Sequence, residues 1–283
     1  MDAVLLAATS AFLFGLMTVL LRFSLRAPVP PELGALFTLL PAVPITFVAA
    51  LAHGSLDLPA AWPFLLAGLV APACSQVLFT YAIREAGPSR ASVTVGTAPL
   101  VAVAIALVFL DEPLVAGLVA GALLIVAGGV VLLSEPDRPG HVRLLGIALA
   151  FLATLAFATR DSLIRWLGTE ATDVDAGMAA FATVLAAATA LAVLAGVRRA
   201  RPSVAAARAY LAPSVCYGLS YICVFEAFFR GRVSVVSPIV ATESLWAVAL
   251  SALLLRKHEA VGLRVWLGAV LVVTGGLLIG VFR

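Results

Sequence analysis

Charged residues are scarce in this chain of 283 residues. Only 12% of its residues are Asp, Glu, Lys or Arg, whereas 63% are hydrophobic and the mean hydropathy is +1.13. A water-soluble domain of this length needs far more polar surface. The composition therefore excludes a soluble globular protein and predicts an all-α integral membrane protein that crosses the bilayer several times.

The residues that carry most enzyme and metal chemistry are also few. The only lysine is Lys257, no phosphate-binding loop occurs, and neither HExxH nor GxSxG is present. We expect no ATP hydrolysis by this chain, no enzymatic activity, no metal and no cofactor. Three histidines lie near loops, and three cysteines lie within apolar runs as packing residues: His53, His141, His258, Cys74, Cys216 and Cys223.

Long apolar runs, in contrast, recur along the whole length. A run of about 20 residues is enough to cross a hydrocarbon core of ~30 Å. The first run has no basic start and no clear cleavage site, which favours a retained span over a signal peptide. The gaps are short and leave no room for a soluble domain. The ten predicted spans are 3–22, 33–52, 62–84, 91–110, 114–133, 144–166, 176–197, 209–229, 234–255 and 261–282.

Basic residues are distributed unevenly between the two sides that these spans define. Four lie on the side of the termini, at positions 165, 230, 232 and 283, and position 160 is within the membrane. The other 13 lie after odd-numbered spans, at positions 22, 26, 84, 90, 138, 143, 198, 199, 201, 208, 256, 257 and 264. The positive-inside rule then puts both termini outside. The Arg-rich stretch 198–208 is expected to face anionic lipid headgroups, and we expect no nucleic-acid partner.

The two halves of the chain resemble each other weakly in sequence. At an offset of 143, Phe14 matches Phe157 and Arg22 matches Arg165. At an offset of 147, three further pairs match, namely Glu112 with Glu259, Gly121 with Gly268 and Gly128 with Gly275. We predict a first five-span repeat at 1–134, a connecting loop at 135–143 and a second five-span repeat at 144–283. An odd number of spans inverts the second copy, an architecture common among secondary transporters.

These motifs resemble the EamA-type repeats of the drug/metabolite transporter superfamily. Phe14-Gly15 stands where that family commonly has Trp-Gly, and Glu112 and Glu259 occupy the positions of its Glu before the last span of each repeat. The resemblance implies a ten-span permease, more often an exporter, for amino acids, nucleotide sugars, organic cations or lipid-linked sugars. It also implies cytoplasmic termini, in conflict with the charge distribution, so two orientations stay open.

Several ionisable or polar residues lie within the predicted spans. A charge at the bilayer centre costs at least ~2.5–3.5 kcal/mol on insertion scales, so each needs a reason. Glu243 lies near the centre of span 9, Gln76 near the middle of span 3, and Arg160 roughly 9 Å from the end of span 6. Asp161 follows Arg160 directly, so the two should point ~100° apart and face different surroundings. Glu226, nearer the end of span 8, is a secondary candidate.

Two interpretations of the central charges remain open. Arg160 either extends to the interface or faces a cavity, where it binds a substrate carboxylate or pairs with Glu243. Glu243 is either structural, as an ion pair or as a protonated and hydrogen-bonded carboxyl group, or it exchanges a proton or an amine. Together the two would suit a zwitterion. Aromatic side chains on neighbouring spans are candidates for the cavity lining: Tyr81, Tyr217, Tyr221 and Trp246.

Prolines and glycines separate two kinds of span. Prolines interrupt spans 2, 3, 4, 8 and 9, which we expect to lie nearest the pathway. Glycines in spans 5 and 10 favour close helix contact, either as a static seam or as an oligomer interface.

The sequence therefore predicts a secondary transporter in the cytoplasmic membrane for a small polar or zwitterionic metabolite such as an amino acid. Protons are the expected candidate for coupling, and the oligomeric state stays open. The alternatives are a flippase for lipid-linked sugars and a membrane scaffold or receptor without transport.

Overall fold

The structure is a computed structural model, and every regular element in its described part is helical. The described residues are 2–27, 29–53, 56–98, 100–101, 116–133, 144–199, 203–255 and 262–282. Glu112, Glu259 and the connecting loop 135–143 lie outside them.

The helices of the first half begin close to the predicted span starts. They are α1 (Ala3–Ser24), α2 (Pro31–Leu39), α3 (Ala42–His53), α4 (Trp62–Gly68), α5 (Ser75–Ala86), α6 (Pro88–Val95) and α7 (Ala116–Leu133), with a π-helical segment, Leu69–Cys74, between α4 and α5. The second half contains α8 (Leu144–Trp166), α9 (Ala176–Val197), α10 (Val204–Ala209), α11 (Leu211–Arg230), α12 (Val233–Val240), α13 (Glu243–Leu254) and α14 (Leu263–Phe282), with a π-helical segment, Leu167–Ala171, after α8.

Seven stretches in the described residues are long and apolar enough to cross a membrane. They are Ala3–Ser24, Pro31–Ala52, Trp62–Ala86, Leu144–Ala171, Ala176–Val197, Leu211–Arg230 and Val235–Leu254. Two shorter apolar stretches, Val119–Val131 and Leu263–Ile279, coincide with predicted spans 5 and 10. Half of predicted span 4, at 91–110, lies outside the described residues. The described part thus agrees with a multi-span helical bundle and leaves the count of ten as a prediction.

Spans 4 and 9 are broken at matching positions. Helix α6 ends at Val95, and helix α12 ends at Val240, 145 residues later. In the turn after each helix, a threonine hydroxyl donates a hydrogen bond to the carbonyl three residues earlier: Thr97 at 2.7 Å and Thr242 at 2.6 Å. Each of these carbonyls also accepts the backbone N–H of the same threonine, so the threonine closes the turn with two hydrogen bonds. Gly96 at the first break packs against Ser244 at the second, so the two breaks meet.

The prediction that spans with internal prolines are interrupted is right for spans 2, 3 and 9 and wrong for span 8. Span 2 is interrupted between α2 and α3, and span 3 has a non-helical residue at Ala71 before Pro72. Helix α11 runs without a break because Pro213 lies in its first turn, where a proline costs no intrahelical hydrogen bond. Pro99 in span 4 lies outside the described residues.

Helices α7 and α14 pack closely through glycines. A Cβ atom added to Gly121 would lie 2.7 Å from the Gly275 carbonyl oxygen, and one added to Gly128 would lie 2.8 Å from that of Gly268. Only residues without a side chain permit this approach. As numbers rise along α7 they fall along α14, so the two helices are antiparallel.

An arginine binds the end of a neighbouring helix in the same way in each half. In the first half, Arg22 Nη1 donates to the carbonyls of Ile83 and Arg84 at 3.2 and 3.0 Å. In the second half, Arg165 Nη1 donates to the carbonyls of Phe228 and Phe229 at 2.9 and 3.1 Å. Each arginine thus donates to carbonyls in the last turn of a helix on another span. These contacts hold α1 against α5 and α8 against α11.

Candidate functional site

A small cavity of about 40 Å³ lies between helices of both halves. This volume is enough for a few water molecules. Polar and charged side chains reach it from span 3, span 6 and the break in span 9. Its lining consists of Phe14, Met17, Gln76, Phe79, Val95, Ala98, Phe157, Arg160, Asp161, Ser237, Val240, Ala241 and Glu243.

Arg160 and Asp161 form an ion pair with each other, which corrects the prediction that they face different surroundings. Arg160 Nε and Nη2 donate to Asp161 Oδ1 at 2.9 and 2.6 Å, and both residues are buried. The prediction considered only where the two Cα–Cβ bonds point. The long arginine side chain curls back over its own helix and overcomes the ~100° separation. Both residues therefore line the same cavity.

Arg160 is also held by two aromatic rings. Its Nη1 donates to the Tyr221 hydroxyl at 3.0 Å, and its Cζ atom lies 5.1 Å from the Phe157 ring centre and 5.3 Å from that of Tyr221. Cations are attracted to aromatic faces at such distances. The guanidinium is thus enclosed, and neither the extension to the interface nor the direct pairing with Glu243 is observed.

Glu243 lines the cavity from the first residue of α13 and is 7% exposed. Its position follows from the break in span 9, because Ala241 and Thr242 turn the chain and α13 begins inside the bundle. No hydrogen bond or ion pair to its carboxylate occurs within the described part of the chain. A helix N-terminus favours a negative charge and so supports a carboxylate here.

Gln76 faces the cavity from α5 and is fully buried. Among the residues that the structure describes, neither polar atom of its amide, Oε1 or Nε2, has a hydrogen-bond partner. A buried amide without a partner destabilises a fold by about 1–3 kcal/mol, so its presence here suggests that something else bonds to it. The sequence prediction of Gln76 as a site residue agrees with this placement.

Tyr217 and Tyr221 lie behind the cavity on α11. Their rings stack with centres 4.6 Å apart, and Phe14 contacts both rings edge-on at 6.0 and 6.1 Å. Both tyrosines are almost completely buried. They support Phe14 and Arg160 from behind, and neither is part of the cavity surface.

Tyr81 lies in a different and larger cavity, of about 760 Å³, at the end of span 3. Its hydroxyl donates to Glu32 Oε1 at 3.0 Å, and Arg198 Nη1 donates to the same oxygen at 2.8 Å. Tyr81 is five residues beyond Gln76, so it projects from another face of α5. The structure does not bring it to the central cavity.

Trp246 and Glu226 also lie away from the central cavity. Trp246 is 44% exposed on the outer surface and contacts the Phe12 ring edge-on at 5.2 Å. Gly15 packs directly against the Cβ atom of Trp246, which leaves the indole no space on the inner side. Glu226 pairs with Arg230 four residues later on α11.

The sequence prediction missed the apolar walls of the cavity. Phe14 and Phe157 match each other in the internal repeat, and both line the cavity, from α1 and α8. Their equivalence was visible in the sequence and is the one signal that could have identified them. Ser237, Val240 and Ala241 become lining residues only because span 9 breaks beside them. In the described residues, no three or more His, Cys, Asp or Glu side chains come together as a metal site.

Comparison with protein-family models gives a match over nearly the whole chain. The model of the EamA-like transporter family matches residues 1–134 and again residues 144–281. The two matched segments coincide with the two predicted repeats, and 135–143 lies between them. No curated protein matches the chain.

A solved structure, described only as the crystal structure of a protein, has a similar fold. It aligns with a TM-score of 0.72 and 21% sequence identity, over 98% of this chain and 95% of that one. At this identity the likeness concerns the fold alone.

Proposed function

Because the chain belongs to the EamA-like transporter family, we propose that it is a secondary active transporter of small polar metabolites, such as amino acids and related compounds. The family is part of the drug/metabolite transporter superfamily, and its members are membrane transporters and not enzymes. The chain is accordingly a multi-pass membrane protein with a small-molecule substrate.

The observation that carries the proposal is the position of Glu243. Its buried carboxylate lies at the break of span 9, beside the matching break of span 4, and lines the same cavity as Gln76. Ionisable groups are costly inside a membrane and mark substrate or ion pathways there. Broken helices at equivalent places in two repeats are typical of transporter binding sites. A passive scaffold needs neither feature.

The glycine contacts support two inverted repeats of five spans each. The offset of 147 converts Gly121 into Gly268 and Gly128 into Gly275. Replacing each glycine by its equivalent therefore turns the contact between Gly121 and Gly275 into the contact between Gly268 and Gly128. A two-fold axis between α7 and α14 requires this relation. These equivalent helices are antiparallel, which agrees with a second copy that enters the membrane from the other side.

Alternating access then follows from rocking of the repeats around the central cavity. The cavity can close to both sides only when its carboxylate is neutralised, because a buried charge without a partner is costly in an apolar interior. Either a proton or a cationic group of the substrate can neutralise it. Proton exchange is therefore the proposed coupling, at Glu243. We place the protein in the cytoplasmic membrane, acting as an exporter or exchanger, with its more basic side facing the cytoplasm.

Counterflow in proteoliposomes tests the proposal. Purified wild type is reconstituted beside Glu243→Gln, which removes the charge and keeps the shape, and labelled amino acids are offered to liposomes preloaded with unlabelled ones. We expect wild type to accumulate one class of amino acid. Glu243→Gln should lose at least about nine-tenths of that uptake, since it removes the buried charge that contacts the substrate.

Glu170→Gln is the matched control, because it makes the same chemical change at an exposed position outside the cavity. It should retain wild-type uptake. Equal uptake by wild type and Glu243→Gln would leave transport intact and contradict the site. Failure of folded wild type to take up any amino acid would contradict amino acids as substrates, and failure with organic amines as well would turn attention to lipid-linked sugars or a scaffold.

A further inference from the structure

The charges that line the central cavity do not balance. Arg160 supplies one positive charge, whereas Asp161 and Glu243 supply two negative charges. Each of these three residues is at most 7% exposed, so bulk water screens them little. With both carboxyl groups ionised, the cavity carries one uncompensated negative charge.

Arg160 makes no hydrogen bond or ion pair with Glu243, because its donors are already engaged, and its positive charge is balanced by its ion partner Asp161. Two of its nitrogens donate to Asp161 Oδ1, and the third donates to the Tyr221 hydroxyl. The ring of Phe157 covers the guanidinium as well. A substrate carboxylate would have to displace Asp161 to gain a bidentate contact, and it would leave that carboxylate buried without its partner. This arrangement disfavours free carboxylates.

The polar group that remains open is the amide of Gln76. Within the described ranges of the chain, its Oε1 atom has no donor and its Nε2 atom has no acceptor. An ammonium group can donate to Oε1, and a neutral carbonyl or amide can accept from Nε2. The rings of Phe14, Phe79 and Phe157 supply an aromatic wall, which favours positive charge as well as apolar groups.

We propose that the cavity, when widened by the rocking of the repeats proposed above, selects a solute with a net positive charge, an organic amine whose ammonium group pairs with Glu243 and bonds to Gln76. This inference rests on the proposed transport function and narrows its substrate class from zwitterions to cations. Asp161 is then a specificity residue: it occupies Arg160 and so keeps the arginine from binding carboxylates.

Three compounds of one shape test the charge preference on the wild-type protein. Leucine, leucinamide and 4-methylpentanoate share the isobutyl group and are zwitterionic, cationic and anionic at a mildly acidic pH. Each is added at matched ionic strength to the purified protein, and the thermal unfolding temperature is followed. A ligand that binds the folded state raises this temperature with its concentration. We expect leucinamide to bind at least about tenfold more tightly than leucine, and 4-methylpentanoate not to bind.

Two variants probe the assignment of residues. Glu243→Gln should abolish the stabilisation by leucinamide. Asp161→Asn frees the guanidinium of Arg160 and removes one negative charge, so it should shift the preference from leucinamide towards leucine. Because the ranking on wild type needs no mutation, a variant that fails to fold leaves the main test intact.

The outcomes separate this inference from the proposed function. Tighter binding of leucine than of leucinamide to wild type overturns the charge preference, and counterflow of amino acids would still support transport. Absence of any stabilisation by leucinamide overturns it too. An unchanged preference in folded Asp161→Asn contradicts the specificity role of Asp161.

Discussion

At the scale of single residues, side-chain length decides which groups meet. Arg160 and Asp161 are neighbours in the chain and leave α8 in different directions. Their side chains nevertheless form an ion pair, with Arg160 Nη2 2.6 Å from Asp161 Oδ1. Backbone geometry restricts where a side chain starts, and a long flexible side chain such as arginine can end elsewhere. Gln76, by contrast, has a shorter side chain than arginine, whose direction follows more closely from its helix position, and it lines the cavity.

Replacement of Gln76 by methionine should separate stability from function. Gln76→Met removes an amide without a partner and keeps the volume, so we expect an unfolding temperature equal to or above that of wild type, with a gain of up to ~1–3 kcal/mol. Uptake in the counterflow assay should fall at least about tenfold, since the substrate loses its hydrogen-bond partner.

Val77→Met serves as the control, because Val77 is the next residue of α5 and does not line the cavity. It should retain uptake. Wild-type uptake by Gln76→Met would remove Gln76 from the binding site, and a large loss of stability would indicate a structural partner for its amide.

At the scale of helices, the same glycine has different meanings at different positions. Gly121 lies against the backbone of α14, whereas a Cβ atom at Gly129 would meet nothing within 4 Å. Both glycines lie in α7 among similar apolar neighbours, and only the contact with α14 distinguishes the two positions. Helix–helix association within a membrane depends on such close packing.

Alanine substitutions at these two positions should have opposite effects. Gly121→Ala places a methyl group against the Gly275 carbonyl, a backbone atom that cannot move away alone, and should destabilise the protein by ~1–3 kcal/mol. Gly129→Ala only gains helix propensity and should stabilise it by up to ~1 kcal/mol. Thermal unfolding of both variants in the same detergent measures the difference. Equal shifts would exclude a tight seam between α7 and α14.

At the scale of the whole molecule, the proposed inversion of the second half relates contacts in one half to contacts in the other. Arg22 and Arg165 make the same contact within each half, and Phe14 and Phe157 both line the cavity between them. A duplicated and inverted unit accounts for both observations. It also means that equivalent residues of the two halves lie on opposite sides of the membrane.

Single cysteines test this inversion. In a background without Cys74, Cys216 and Cys223, cysteine is introduced at four exposed sites and labelled with a membrane-impermeant maleimide. Arg26→Cys and Arg199→Cys should react from one side, which the positive-inside rule makes the cytoplasm, and Asp57→Cys and Glu170→Cys from the other.

Position 170 lies 144 residues after position 26, so these two sites occupy equivalent loops of the repeats. Labelling of both from the same side would contradict inverted repeats. Labelling of positions 57 and 170 from the cytoplasm would keep the inversion and reverse the orientation.

The sequence alone determined the class of the protein and the approximate limits of its helices. Apolar runs of membrane length are a property of consecutive residues, so spans such as 176–197 coincide with the helix Ala176–Val197. Internal repetition and the scarcity of charge are likewise properties of the chain itself. For the same reason the sequence identified Glu243, Arg160, Asp161 and Gln76, which are conspicuous among apolar neighbours.

Only the tertiary structure decided which of these residues share a surface. It brought Glu243, Gln76 and the Arg160–Asp161 pair to one cavity and left Tyr81 and Trp246 outside it. The breaks in spans 4 and 9, the reach of an arginine and the close approach of α1 to α13 at Gly15 produced this result. Each depends on packing between helices that are distant in the chain, and packing cannot be read from consecutive residues.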